Sequence, residues 1–299
     1  RSLFTAAGRK ARGGIEPPYR DAILAMDKDW GDPQLWSVMR QASSPYTANF
    51  YLAAMDMTRD ENGDIVRVAE QQRVYLMLFM RTLWLSLVIT FTTFVLGFPI
   101  AHLLATLPMR KSNLLMILVL LPFWTSLLVR TTAWMVLLQQ QGVVNDVFVW
   151  LGIIRDDQRL QMIYNQTGTI IAMTHILLPF MILPLYSVMR TINPSYVRAA
   201  RSLGATSWTA FRRIYFPQTL PGLGAGALLV FILAVGYYIT PALVGGSSGQ
   251  LISNLIAMHM TRTLNWSMAA ALAAMLLGGV LILYWVYDRL VGIDNLKLG

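Results

Sequence analysis

Three histidines, His102, His175 and His259, are the residues that could do acid–base or metal chemistry near neutral pH, and their placement suits neither. No H-x-x-x-H pair joins them, and the chain has no cysteine, which excludes thiolate metal sites and a disulfide framework. His102 and His175 have no acidic neighbour in sequence to serve as a partner base, so they read as packing residues. There is no G-x-x-x-x-G-K-[ST] phosphate loop, and "GLGAG" at Gly222–Gly226 opens an apolar run, where small residues let helices pack closely. No catalytic residue, metal or cofactor is expected. The remaining chemistry is recognition by cations and aromatic faces. "NPSYVRAARSLGATSWTAFRRIYFPQTLPG", Asn193 to Gly222, holds Arg198, Arg201, Arg212 and Arg213 and no acid, and Arg130, Trp124, Trp134, Tyr237 and Tyr238 lie within or beside apolar segments.

The elements that hold these residues follow from composition. The 299 residues are 56% hydrophobic and 13% charged, and mean hydropathy is positive. Ten of the fifteen acids precede Gln71, and none occurs between Gln71 and Asn145 or between Gln158 and Tyr287. A soluble domain needs solvating charge along its whole length, whereas a lipid-embedded one carries acids only at high cost. The chain therefore reads as an integral membrane protein. Its net charge of +9 is better explained by basic loops at a lipid surface than by a nucleic-acid partner, which is not expected.

Five apolar segments, about 83–107, 113–138, 169–189, 220–244 and 268–286, each reach about 20 residues, enough to cross about 30 Å of hydrocarbon as helix. Pro99, Pro122, Pro179 and Pro184 fall inside them, which membranes tolerate where neighbours satisfy the freed backbone groups. Basic residues cluster in alternate links: Arg110 and Lys111, then Arg190 with the four later arginines, then Arg289 and Lys297. The positive-inside rule makes that side cytoplasmic and turns the links at about 139–168 and 245–267 outward. Residues 1–73 are polar, ten acids against ten basic residues, and "AMDKDWGDPQLW" and "TRDENGD" read as turns and caps. Alternation puts this segment outside, which requires an export signal. The chain opens on Arg1, so either a span precedes it or the first dozen residues are a cytoplasmic flank.

The basic insert at 190–217 admits two readings. Charge alone makes it a topogenic loop. Its pattern adds more: Asn193 and Pro194 suit an N-cap and first helical position. Tyr196, Ala199, Ala200 and Leu203 then share a face, with Arg198 and Arg201 off it, and Gly204 supplies a stop. A second short helix is expected with Trp208, Phe211, Ile214 and Tyr215 on one side, closed by Pro217 before the next span. This makes a docking element at the cytoplasmic surface.

The spacing Ala199-Ala200-x3-Gly204-x9-Ile214-x2-Pro217 resembles the EAA loop of permease subunits in binding-protein-dependent ABC importers. "PFWTSLLVRTTAWMVLL" and "GYYITPALVGG" are most similar to the spermidine/putrescine branch, and the resemblance runs from about Arg81 to the C-terminus. It implies an all-α membrane protein with the type I ABC importer permease fold, located in the bacterial inner membrane and embedded in its lipid. The implied partners are a cytoplasmic ATP-binding subunit, a second permease subunit and an external solute-binding protein. Coupling to the ATPase would pass through Arg198, Ala199, Ala200, Leu203, Gly204, Ile214 and Pro217. One position departs, since Arg198 stands where the family has a glutamate.

For a polyamine, the route would offer carboxylates and aromatic faces, yet the spans hold no carboxylate. Trp124, Tyr237 and Tyr238 are the aromatic candidates, and Trp134 reads equally as an interfacial belt residue. Arg130 either faces the bundle interior or snorkels outward; as a gate it would oppose a polyamine, which leaves a structural role or a different solute. An ATPase-independent secondary transporter would need inverted repeats or intramembrane acids, and neither is present.

Overall fold

The computed structural model describes residues 47–60 and 63–291, residues 19–33, and a few isolated positions before residue 47; the side chains at 290–291 are not described. Arg1 and Lys297, which enter the orientation argument, lie outside the described residues. The chain divides into two compact units, Arg1–Leu76 and Met77–Gly299.

In the first unit, α1 (Tyr19–Met26) leads to a 3-10 turn, Lys28–Gly31, where Asp27 caps by accepting from the Asp29 N–H at 3.1 Å. After α2 (Asn49–Ala54), strands β1 (Met57–Arg59) and β2 (Ile65–Arg67) form an antiparallel hairpin with Thr58 opposite Val66. Between the strands lie Asp60, Gly63 at φ +93 and Asp64, in a stretch the sequence reads as turns and caps. Asp56 is buried, and its carboxylate accepts the backbone N–H groups of Val74 and Tyr75, both at 3.1 Å, and Leu76 at 2.8 Å. Those are donors that the first turn of a helix leaves orphaned, and a carboxylate there also suits the helix dipole.

The second unit is a helical bundle. Helix α3 (Tyr75–Thr106) is followed by α4 (Met109–Leu120), a 3-10 turn (Leu121–Trp124), α5 (Leu127–Leu137) and the short α6 (Val143–Trp150). Helix α7 (Gln166–Thr191) leads to α8 (Pro194–Ser202), the long α9 (Ser207–Gly236), α10 (Ile239–Val244), α11 (Ile252–Thr261) and α12 (Trp266–Val291). Four of these, α3, α7, α9 and α12, are long and apolar enough to cross a membrane. The segment read as one span over 113–138 bends by 97° between Trp124 and Leu127, so a fifth crossing exists only if α4 and α5 form one broken span. Pro122 is the local cause: it favours the 3-10 turn, and Thr125 and Ser126 take extended backbone before α5 begins.

Helix α7 is the centre, with 61% of its apolar window buried against 17% for α12. Met173, Leu177, Met181 and Leu185 of α7 pack with Leu85 and Ile89 of α3 and Val230 of α9. The α7–α9 contact is tight because of Gly222 and Gly226. A β-carbon at 222 would lie 2.8 Å from the Pro184 carbonyl oxygen, and one at 226 would lie 3.0 Å from the Met181 sulfur. The "GLGAG" run thus serves close helix approach, as small-x-x-x-small pairs do in bilayers. Phe91, Leu281, Ile282 and Trp285 point outward and are exposed. In water such apolar area would be a liability; in a bilayer it meets lipid or another helix.

Two interruptions are repaired by side chains. Between α9 and α10 the helix breaks at Tyr237 and Tyr238, whose carbonyls accept from the Ser253 hydroxyl and, at 2.7 Å, the Asn254 amide. Non-helical backbone at membrane depth survives where protein groups satisfy it in this way. Pro217 falls inside α9, not at the end of a separate short helix as expected. The residues before it form a π turn, Phe211–Tyr215, in which the Phe216 N–H reaches the Phe211 carbonyl. That wider turn accommodates a proline ring that would otherwise crowd the carbonyl four residues back, and the Gln218 side chain donates to the Ile214 carbonyl at 2.7 Å.

Candidate functional site

Helix α8 and the base of α9 form the first candidate site. Asn193 accepts from the Ser195 N–H at 2.9 Å, and Pro194 occupies the first turn, where a missing N–H costs nothing. At the other end Gly204 has φ +90, its N–H bonds to the Arg201 carbonyl, and the Ala205 N–H bonds to Ala200, both at 3.0 Å. Those two bonds are a Schellman stop, which needs a left-handed residue at Gly204. Thr206 then caps α9 by accepting from the Thr209 N–H at 3.2 Å.

Caps fix where α8 begins and ends, and packing sets which side of it faces the bundle. Val197 packs against the core, with Ile192 beside it, and Ala200 is half-buried. Tyr196, Arg198, Ala199, Leu203 and Gly204 are exposed, and Leu203 is 90% so. Most of the apolar stripe read from sequence therefore points away from the rest of the chain. Ile214 is half-buried and Pro217 exposed on the α9 base, so these two are set apart from α8. An aromatic column anchors the base: Trp208 stacks on Phe211 at 5.7 Å between centroids, Phe211 on Tyr215 at 6.0 Å, and Phe98 of α3 meets Phe211 edge-on. The Tyr215 hydroxyl is 2.9 Å from His102 Nδ1, which gives that histidine a packing partner as the sequence suggested.

The second candidate site lies where α5, α7 and the α9–α10 break meet. Arg130 is half-buried, its Nε is enclosed with no hydrogen-bond partner among the described residues, and its charge acts on His175 and Tyr237. Trp134 donates to His175 Nδ1 at 3.1 Å. That bond reveals a role for both residues which their separation of 41 positions hides in the sequence. Thr131 and Thr240 hydroxyls, 3.2 Å apart, tie α5 to α10. Tyr237 belongs to this cluster, and Tyr238 is 48% exposed beside it. Trp124, at the α4–α5 bend, is 89% exposed. Among the described residues no cluster of His, Asp and Glu could hold a metal ion.

Outside the spans, Arg159 binds Asp146 at 2.7 Å and Asp156 at 2.8 Å, which raises the guanidinium's pKa through those two bonds. The acids of the 139–168 link are in this way partly neutralised.

Residues 74–291 match the family described as "Binding-protein-dependent transport system inner membrane component". The chain is 36% identical over 221 residues to the spermidine/putrescine transport system permease protein PotB of Escherichia coli K12, covering 73% of this chain and 80% of that one. Against PotB of Haemophilus influenzae the identity is 31% over 254 residues, covering 83% and 88%. The fold is similar to a chain from the crystal structure of a bacterial ABC transporter involved in import of the acidic polysaccharide alginate. That likeness has a TM-score of 0.62 and 18% identity, and covers 87% of this chain and 88% of that one.

Proposed function

The chain belongs to the family of binding-protein-dependent transport system inner membrane components, and on that premise we propose that α8, with the base of α9, is the handle through which an ATP-binding subunit drives it. It is a multi-pass inner-membrane permease subunit of an ABC importer and not an enzyme. The observation that carries the coupling reading is the outward stripe of Tyr196, Ala199 and Leu203 on a helix capped at both ends. Apolar side chains held clear of their own bundle gain nothing unless a partner covers them. Coupling also needs stiffness. A nucleotide-driven movement biases the transporter only through contacts that differ between its two states, and the stacked column of Trp208, Phe211 and Tyr215 joins the handle to α3 and α9. Arg198, Ala200, Gly204, Ile214 and Pro217 complete this element.

For the solute we infer a polyamine of the spermidine/putrescine type, supported by the similarity to PotB over most of the chain. With no carboxylate between Gln158 and Tyr287, selection rests with an external binding protein, while Tyr237 and Tyr238 offer faces to a passing ammonium group. A second permease subunit would close the pathway on the side that Trp124 faces. Arg130 favours a second reading, a small solute without net positive charge, because a half-buried cation beside Tyr237 opposes an amine.

The absence of native cysteine makes the test of coupling direct. Leu203→Cys, labelled in intact membranes with a thiol crosslinker, is expected to capture a nucleotide-hydrolysing protein from the cytoplasmic side. Labelling from the external side only would sink the reading. Uptake of labelled putrescine against a neutral solute separates the two cargo readings.

A further inference from the structure

We infer that the cavity beneath α8 is a binding site for a phosphate-ester anion, supplied by an anionic phospholipid headgroup or by a phosphorylated compound of the cytoplasm. The cavity measures about 630 Å³, and Arg190 and Arg198 both line it. Its lining includes no carboxylate, and the chain has none anywhere between Gln158 and Tyr287. Arg190 is held in place by donating to the Ala105 carbonyl at 3.1 Å and contacting the Met109 sulfur. Those contacts leave other N–H donors of its guanidinium unused. Arg198 makes no hydrogen bond or ion pair with the described residues. Two guanidinium groups on one cavity without a counter-charge repel each other, and an anion with several acceptor oxygens satisfies both. A glutamate at 198, as in the loop this segment resembles, would bring a carboxylate to the same cavity. The arginine turns that neutralised site into a cationic one.

Depth and lining favour the lipid source. Thr106 at the end of α3, Arg190 at the end of α7 and Ser207 at the start of α9 all contribute, so the cavity sits where three membrane helices finish on one side. That is headgroup level, on the face the positive-inside rule makes cytoplasmic. Met189, Val197 and Phe211 supply an apolar wall for the first methylenes of an acyl chain. Basic pockets between membrane helices on this face bind anionic headgroups by the same chemistry.

The test is native mass spectrometry of the full chain from membranes, exchanged into mild detergent with phosphatidylglycerol, phosphatidylethanolamine or ATP. Wild type is expected to retain phosphatidylglycerol over phosphatidylethanolamine, and Arg198→Gln and Arg190→Gln each to weaken retention about fivefold. Arg212→Gln, which removes an exposed charge outside the cavity, is expected to leave it unchanged. Retention of ATP in place of lipid, lost in the same two variants, supports the site with the soluble source. No preferred anion in wild type, or an equal loss in Arg212→Gln, overturns it. The measurement reads binding alone, so its outcome is separate from that of the coupling experiment.

Discussion

Gly204 sits at φ +90, and beyond its chain neighbours none of the described residues comes within 4 Å of where a β-carbon would be. Any cost of substitution within the chain is therefore conformational. An L-residue in the left-handed region costs roughly 1–2 kcal/mol, and asparagine tolerates that region better than alanine or a β-branched residue. Helix α8 has 9 residues, below the roughly 12–15 at which an isolated helix becomes even marginal, so its caps decide whether its last turn stays ordered. A loss of that size lowers the ordered population by a factor of about 5–30. Uptake should then rank Gly204, Gly204→Asn, Gly204→Ala and Gly204→Val from highest to lowest. The assay is ATP-driven accumulation of labelled putrescine in membrane vesicles, normalised to the amount of inserted protein. The outcome that would refute the reasoning is specific: if Gly204→Ala transports better than Gly204→Asn, side-chain size governs, and Gly204 serves close approach of a partner backbone in place of the Schellman stop.

Two further predictions test the bundle. Gly222→Leu forces a side chain against the Pro184 carbonyl and Val188 and should destabilise the protein by about 1–3 kcal/mol. Gly279→Leu, where nothing lies within 4 Å, should be nearly neutral; detergent-solubilised melting curves compare the two, and equal melting would refute the tight α7–α9 contact. Asp56→Ala removes the acceptor of three backbone donors and should cost about 1–3 kcal/mol, seen as faster proteolysis between residues 56 and 76, with Asp56→Asn intermediate.

Much of this was legible because hydropathy and caps are local. The apolar segments, the Asn193–Pro194 start and the Gly204 stop each follow from a few adjacent residues, and helices α3, α4, α5, α7, α9, α10 and α12 and the ends of α8 lie there, whereas α6 and α11 fall in links read as loops. What escaped depends on direction or on distance. A hydropathy window reads 113–138 as one span since turning a chain by 97° after Trp124 changes no residue's apolarity. The expected short helix ending at Pro217 merges into α9, because the π turn before it leaves room for the proline ring. Val197 turns inward although the apolar stripe suggests a different face, and its packing with Ile192 against the core shows which side is inward. The Trp134–His175 and Asp56–Leu76 bonds join residues too far apart for any pattern to pair.

The widened turn at Phe211–Tyr215 also sets an azimuth. One residue inserted into a helix turns everything upstream by about 100° and lifts it by about 1.5 Å. The compass bearing of Trp208 at the start of α9, relative to the apolar length after Phe216, is therefore governed by a single added residue. A one-residue deletion between Phe211 and Tyr215 would keep the apolar length from Phe216 to Gly236 while turning Trp208 toward a different quadrant.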